Sequence, residues 1–216
     1  MNSAAKTRYM SGGDISNPIV FRGLNGPAAS VAAQHSQCFA AMLANVPGLI
    51  VLSPYDAYDC KGLLKAAIRS NDPVCFLENE LMYSREFEVG EDFWSEDLVY
   101  EIGKAKIMRE GKHVTIVGFS RMVGEILKAA EELEKEGVSC EVINLRSIKP
   151  IDRETIIKSV IKTGRLVTVE DGYPTCGVGA EICGMMMESK AFDYLDAPVE
   201  RVTAWDVLLP YAKNLE

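Results

Sequence analysis

The sequence predicts an α/β fold laid out as two successive blocks, and three observations predict it. Apolar runs of strand length alternate with amphipathic segments of helix length, which is the pattern of a mostly parallel sheet with helices on its faces. The alternation lapses across residues 78–101, where acidic and aromatic residues mix (Glu86, Glu88, Glu91, Asp92, Phe93, Trp94, Glu96, Asp97). The chain has 216 residues, 48% of them hydrophobic. That is length enough for two ordinary domains and apolar side chain enough to fill their cores.

In the first block, residues 18–22 (PIVFR) read as a strand, 36–44 as a helix, 49–52 (LIVL) as a strand, about 56–69 as a helix and 74–77 (VCFL) as a strand. Pro47-Gly48 and Ser53-Pro54 mark turns between them. The second block opens near Gly103 and gives a strand at residues 114–117 (VTIV). In the helix after Ser120, the residues Val123, Ile126, Leu127, Ala130 and Leu133 recur at helical spacing and form one stripe for burial, and Gly137 suits the position just past its end. A strand at 140–145 (CEVINL) follows, then Pro150-Ile151-Asp152, where Asp152 suits the N-cap of a helix carrying Ile156, Ile157, Val160 and Ile161. A strand at 166–169 (LVTV), a helix at about 178–187 and a strand at 199–203 (VERVT) complete the block. No internal repeat or low-complexity segment interrupts it.

Charge and composition exclude some partners. Lys and Arg number 23 against 31 Asp and Glu, a formal charge of −8, so nucleic acid and anionic membrane are poor partners and a protein or small molecule is expected. No apolar run approaches the roughly 18 residues that cross a bilayer, and a soluble chain is expected. Residues 1–6 (MNSAAK) contain no hydrophobic leader and no Arg-rich presequence, and they read as the interior of a domain. The six cysteines (Cys38, Cys60, Cys75, Cys140, Cys176, Cys183) form no C-x-x-C pair and lie mostly in apolar stretches. They are expected as reduced, buried thiols, not as a zinc site.

The most suggestive chemistry lies at Gly23-Leu24-Asn25-Gly26-Pro27 and the following Ala32-Ala33-Gln34-His35-Ser36-Gln37. A strand ends in a Gly-Asn-Gly turn, small residues allow close approach, and a histidine stands on the strand's C-terminal side, where α/β sheets collect ligands. Such a histidine can serve as acid, base or hydrogen-bond donor near neutral pH. The alternative is a structural histidine satisfied by backbone groups. Gly177-Val178-Gly179 opens like a dinucleotide fingerprint, but Ile182 stands where the third glycine belongs, so a tight turn into a helix is expected. Glu170-Asp171-Gly172 lacks the paired asparagines of a diphosphate-magnesium motif. Met185, Met186 and Met187 are expected to fill core, and His113 to be a solvated edge residue.

Several strings together resemble the β subunits of pyruvate dehydrogenase E1 components, within the 2-oxoacid dehydrogenase β and transketolase-like family: NSAAKT with MSGG, residues 18–26, AAQHSQCFAA, LENELMY, residues 141–144, and residues 177–183 with DAP at 196–198. The match runs along essentially the whole chain, and HSQCFAA with LENELMY looks like the pyruvate-specific enzyme; a branched-chain 2-oxoacid relative and a non-catalytic, E2-docking fragment are the alternatives.

The resemblance implies a thiamine-diphosphate pyrimidine-binding domain at residues 1–90, a linker at 91–102 and a transketolase C-terminal-like α/β domain at 103–216. It implies that thiamine diphosphate lies between this chain and an E1 α subunit that grips diphosphate and magnesium, within an α2β2 assembly containing a second β subunit. That assembly would decarboxylate pyruvate and acetylate the lipoyl group of the E2 dihydrolipoyl acetyltransferase, in the mitochondrial matrix of a eukaryote or the cytoplasm of a bacterium. His35 matches the family's active-site histidine, and Ile19, Ala67, Ile68, Ser70 and Asp72 match backbone-carbonyl ligands of a potassium ion. The family's upstream segment, which bears the glutamate that protonates the aminopyrimidine, has no counterpart before Met1, and relatives continue past Tyr211-Ala212-Lys213. Both domains are therefore expected to be partial, with an exposed sheet edge in the first, and the isolated chain is expected to be inactive.

Overall fold

The computed structural model describes residues 1–210 and 212; Tyr211 and Lys213, cited above for the family's continuation, fall outside them. In the first block, helix α1 (Asn2–Met10) precedes strand β1 (Val20–Leu24), a short 3-10 turn at Ala33–His35, helix α2 (Ala40–Ala44), strand β2 (Ile50–Leu52), helix α3 (Ala57–Ile68) and strand β3 (Val74–Glu78). The second holds β4 (Lys106–Arg109), β5 (Val114–Gly118), α4 (Met122–Lys135), β6 (Cys140–Asn144), β7 (Ser147–Lys149), α5 (Arg153–Thr163), β8 (Leu166–Val169), α6 (Val178–Met187) and β9 (Glu200–Val202). No helix among the described residues is long and apolar enough to cross a membrane.

Local chemistry sets several of these boundaries. The Asp56 carboxylate accepts the Asp59 N–H at 2.7 Å and starts α3, and Asp152 accepts the Thr155 N–H at 3.1 Å and starts α5. The predicted stripe of α4 is buried at Val123, Ile126 and Ala130, and Gly137 follows the helix at φ +82°. The helix expected over 36–44 begins only at Ala40. Gln37 is held extended in a bridge to Gly26, and the Phe39 N–H is captured by the Asn25 side chain, so the chain cannot coil earlier. Three elements carry no periodic signal and were not expected. Helix α1 buries just Ala5, β4 is an irregular edge strand, and β7 spans three residues before Pro150.

The strands form two mixed sheets. In the first, ordered β1-β3-β2-β7, the three strands of the first block run parallel and β7 joins antiparallel. In the second, ordered β4-β6-β5-β8-β9, only β4 runs antiparallel. Antiparallel edges on parallel sheets are common in α/β folds. Strand β1 is an edge among the described residues and exposes Phe21 and Leu24.

One apolar cluster spans both blocks, with Val51, Cys75 and Leu77 of the first packed with Ile143, Leu145, Ile148, Ile182 and Met186 of the second. An ionic hub reinforces it. Asp59 of α3, with a fully buried side chain, accepts from Arg146 Nε at 2.6 Å, Asn144 Nδ2 at 2.7 Å and the Tyr55 N–H at 3.2 Å. The Arg146 guanidinium also lies 4.1 Å from the centre of the Tyr100 ring. The aperiodic stretch after β3 straps α3: Tyr58 donates to Asp92 at 2.7 Å, while Lys61 and Lys65 bond the carbonyls of Phe93 and Glu96.

Two expectations need adjusting. All six cysteines are free thiols, but only Cys75 and Cys140 are buried, whereas Cys60 and Cys176 are exposed and Cys38 and Cys183 half-buried. Met185 and Met186 fill core as expected, while Met187 is exposed.

Candidate active site

His35 ends the 3-10 turn of a loop that leaves β1 at Asn25 and returns to α2 at Phe39. It is exposed, and among the described residues its imidazole makes no hydrogen bond, so the structural reading of a backbone-satisfied histidine does not apply. Gly26 turns the loop at φ +90°, and a Cβ there would meet Asn79 Nδ2 at 3.0 Å and Asp171 Oδ2 at 3.1 Å. A glycine is required at this point because the first block packs directly on the carboxylate of the second.

That carboxylate is committed. Asp171 pairs with Arg121 through Nη2 at 3.0 Å and Nε at 3.2 Å. Burial raises the Asp171 carboxyl above its ordinary value, and the Arg121 charge opposes the rise. Its neighbour Glu170 accepts the Val178 N–H at 3.2 Å and the Gly179 N–H at 2.8 Å, capping α6. A Cβ on Gly177 would fall 2.7 Å from Glu170 Oε1 and one on Gly179 3.1 Å from it, so these glycines admit an internal carboxylate. The α6 N-terminus, which would otherwise attract phosphate, is already filled from within. The dinucleotide reading fails for this reason as well as for its missing glycine.

Beside the loop, a cleft of about 850 Å³ runs between the blocks, lined by Gln37, Cys38 and Met42 on one side and Ile148, Tyr173 and Cys176 on the other. His35 is not among its lining residues. Burial pushes the Cys38 thiol up to about 11, which keeps it protonated and poorly nucleophilic. His113 is exposed as expected, with Nδ1 accepting the Ser139 N–H at 2.9 Å.

The residues matched to potassium ligands gather at the opposite end of the same sheet. Ala67 and Ile68 close α3, Ser70 and Asp72 follow it, and Ile19 leads into β1, its carbonyl accepting the Val74 N–H at 2.8 Å. Ser70 Oγ donates to the Asp72 carbonyl at 3.0 Å and accepts the Asp72 N–H at 3.1 Å, which curls this loop around the helix end. Carbonyls at a helix C-terminus carry the negative end of the dipole, and oxygen donors suit a hard cation. Among the described residues no cluster of three or more His, Cys, Asp or Glu side chains is placed to hold a metal. Asn79 and Glu78, buried polar residues within the LENELMY string that were given no role from the sequence, end β3 beneath the His35 loop, and Glu78 pairs with Arg22 at 2.7 Å.

Residues 1–85 match the pyrimidine binding domain of transketolase, and residues 103–216 match the transketolase C-terminal domain. Over all 216 residues the chain is 63% identical to the pyruvate dehydrogenase E1 component subunit beta-1, mitochondrial, of Arabidopsis thaliana, covering 59% of that protein. It is 61% identical over the same span to the pyruvate dehydrogenase E1 component subunit beta, mitochondrial, of Homo sapiens, covering 60% of it. The chain thus spans about three fifths of the length of these curated relatives. Among solved structures, a split-gene transketolase described as an inactive beta4 tetramer superposes with a TM-score of 0.72 at 28% identity, covering 99% of this chain and 66% of that one. With both domain types matched in order and the two-sheet α/β architecture in place, the chain belongs to the transketolase family.

Proposed function

We propose that this chain is the His35-bearing portion of a pyruvate dehydrogenase E1 β subunit. The observation that carries the reading is identity of 61–63% over all 216 residues to relatives named for that subunit. The same names support pyruvate over a branched-chain 2-oxoacid as substrate and the mitochondrial matrix as compartment.

In this reading thiamine diphosphate supplies the carbanion chemistry when bound. The described residues do not fit its charged half. The Gly-rich helix start is sealed by Glu170, and no acidic cluster is placed for magnesium. We assign the diphosphate and magnesium to an E1 α subunit, as the family resemblance implies. This chain presents the His35 loop to the cofactor's organic side, where an exposed, unbonded imidazole is free to donate or accept a proton as the acetyl group passes to the lipoyl group of an E2 dihydrolipoyl acetyltransferase. We divide the chain at residues 1–90 and 103–216, and place a potassium ion on the carbonyls of Ile19, Ala67, Ile68, Ser70 and Asp72, with a second β subunit completing the assembly.

The test uses the complete αβ assembly with thiamine diphosphate. His35→Ala is expected to reduce acetylation of an isolated lipoyl domain by about 100-fold or more, within the range for loss of a general acid or base. Unchanged acetylation would remove His35 from the mechanism. Competition between pyruvate and 2-oxoisovalerate is expected to favour pyruvate, and preference for the branched acid would overturn the substrate assignment.

A further inference from the structure

His35 is the one group assigned to the chemistry, yet among the described residues nothing bonds its side chain, so its position is set by how its loop is closed. The closure is built from buried polar side chains. Asn25, 3% exposed, spans the neck, its Oδ1 accepting the Phe39 N–H at 2.6 Å and its Nδ2 donating to Cys38 Sγ at 3.5 Å. Its own backbone is pinned to β3, with its N–H donating to the Glu78 carbonyl at 2.7 Å and its carbonyl accepting Asn79 Nδ2 at 3.0 Å. Beyond it the Gly26 N–H donates to the Gln37 carbonyl at 2.9 Å, and the Ala28 N–H to Ser36 Oγ at 3.1 Å.

We infer that Asn25 is a positioning residue for His35: one buried amide joins the outgoing strand to the returning chain and so fixes where the imidazole stands. This rests on the assignment of His35 above. The physical case is one of loop closure. Between Gly26 and Gln37 the chain is buried at its two ends, at Pro27, Ala28 and Ser36, and exposed at Ala29, Ser30, Val31, Gln34 and His35, and among the described residues its one hydrogen bond beyond the loop is from the Ala29 N–H to Glu80 at 3.3 Å. Without the Asn25 side chain the Phe39 N–H loses its acceptor, and the neck is left to the Gly26–Gln37 and Ala28–Ser36 bonds, a looser closure. A displacement of an ångström at a reacting group costs up to about 100-fold in rate.

The experiment is a kinetic double-mutant cycle in the complete αβ assembly, with Asn25→Ala, His35→Ala and both together. Two steps are read, pyruvate decarboxylation with dichlorophenolindophenol as electron acceptor and acetylation of a lipoyl domain. Asn25→Ala is expected to lower kcat for acetylation about 10- to 100-fold with KM for the lipoyl domain held, and to add nothing in the His35→Ala background. A residue that merely stabilises the domain would reduce both steps and add to His35→Ala. Additive losses, or full acetylation by Asn25→Ala while His35→Ala is impaired, overturn the inference. Full acetylation by His35→Ala instead removes the assignment on which it rests.

Amide hydrogen exchange of the same assembly supplies a readout independent of turnover. Asn25→Ala is expected to speed exchange at least about 10-fold across residues 27–39 and to leave α4 unchanged, and unaltered exchange in that segment refutes the closure. Should Asn25→Ala prevent folding, Asn79→Ala deletes the donor to the Asn25 carbonyl and leaves the neck's side chain in place. The same selective loss, absent in the His35→Ala background, is then expected, and an additive loss again refutes.

Discussion

Replacing Arg146 with Met tests whether the two blocks are joined by charge. Among the described residues Arg146 is the only cation in direct contact with the Asp59 carboxylate, whose side chain is fully buried, and its own side chain is 10% exposed. Removing one partner of a buried pair strands the other, at a cost of about 3–5 kcal/mol, and loss of the contact with Tyr100 adds about 1 kcal/mol. Methionine keeps an unbranched apolar stem without the guanidinium and inherits the same backbone, at φ +59°. For a chain of this size each kcal/mol lowers the melting temperature by about 2–4 °C, so a fall of roughly 8–24 °C at pH 7 is expected by differential scanning calorimetry.

The loss is also pH-dependent. Burial already holds the Asp59 carboxyl above its ordinary value against the pull of Arg146, and without Arg146 it rises further. A carboxyl whose folded pKa is raised favours the fold when protonated and opposes it once ionised. The penalty is therefore largest at neutral pH and shrinks as the pH is lowered towards 5. Adding Asp59→Leu to Arg146→Met is expected to recover much of the loss, since an apolar pair in place of a buried ion pair is often neutral. A melting temperature within 2 °C of the parent chain, or a fall that is the same at pH 5 and pH 7, would refute the reasoning.

Asp152 behaves in the opposite sense. Burial works to raise its carboxyl, but the Ala105 N–H, the Thr155 hydroxyl and N–H, and the Lys104 charge together outweigh burial and hold it below its ordinary value. The stability it contributes is present above the unfolded carboxyl pKa and lost as pH falls through the lower folded value; Asp152→Ala is expected to cost about 1–2 kcal/mol in urea titrations at pH 7, and no measurable cost would refute its capping role. Gly26→Ala forces a Cβ against Asn79 and Asp171 at a left-handed φ and is expected to destabilise by about 1–3 kcal/mol, and a neutral thermal melt would show that the neck yields. Isothermal titration of thiamine diphosphate into the chain alone is expected to show no tight binding, and a micromolar site would contradict the division of cofactor between subunits. Thermal melts in potassium chloride and in choline chloride at equal ionic strength are expected to differ in favour of potassium, and coincident melts would remove the cation from the α3 terminus.

Much of this architecture was legible because burial writes itself into periodicity. Helix α6 was read at residues 178–187 and runs there, and the stripe of α4 and the Asp152 cap stand where spacing and cap chemistry put them. What stayed hidden was set by partners remote in sequence. Residues 36–39 have helix-like composition and are kept extended by Gly26 and Asn25, and β7 is three residues long because its register is dictated by β2. The same holds for the site. Turn chemistry and family resemblance pointed to His35, whereas Asn79 and Asp171 reach its loop from β3's end and from the other block, and no local pattern announces them.

Strand β7 has one further consequence. Residues 147–149 lie well beyond the aperiodic stretch at 78–101, yet they zip onto the sheet that precedes it. Scissors placed between the two family regions would rip a border from one half and leave raw hydrocarbon on both. The halves should consequently melt in a single step, and neither is expected to survive as a transplantable module.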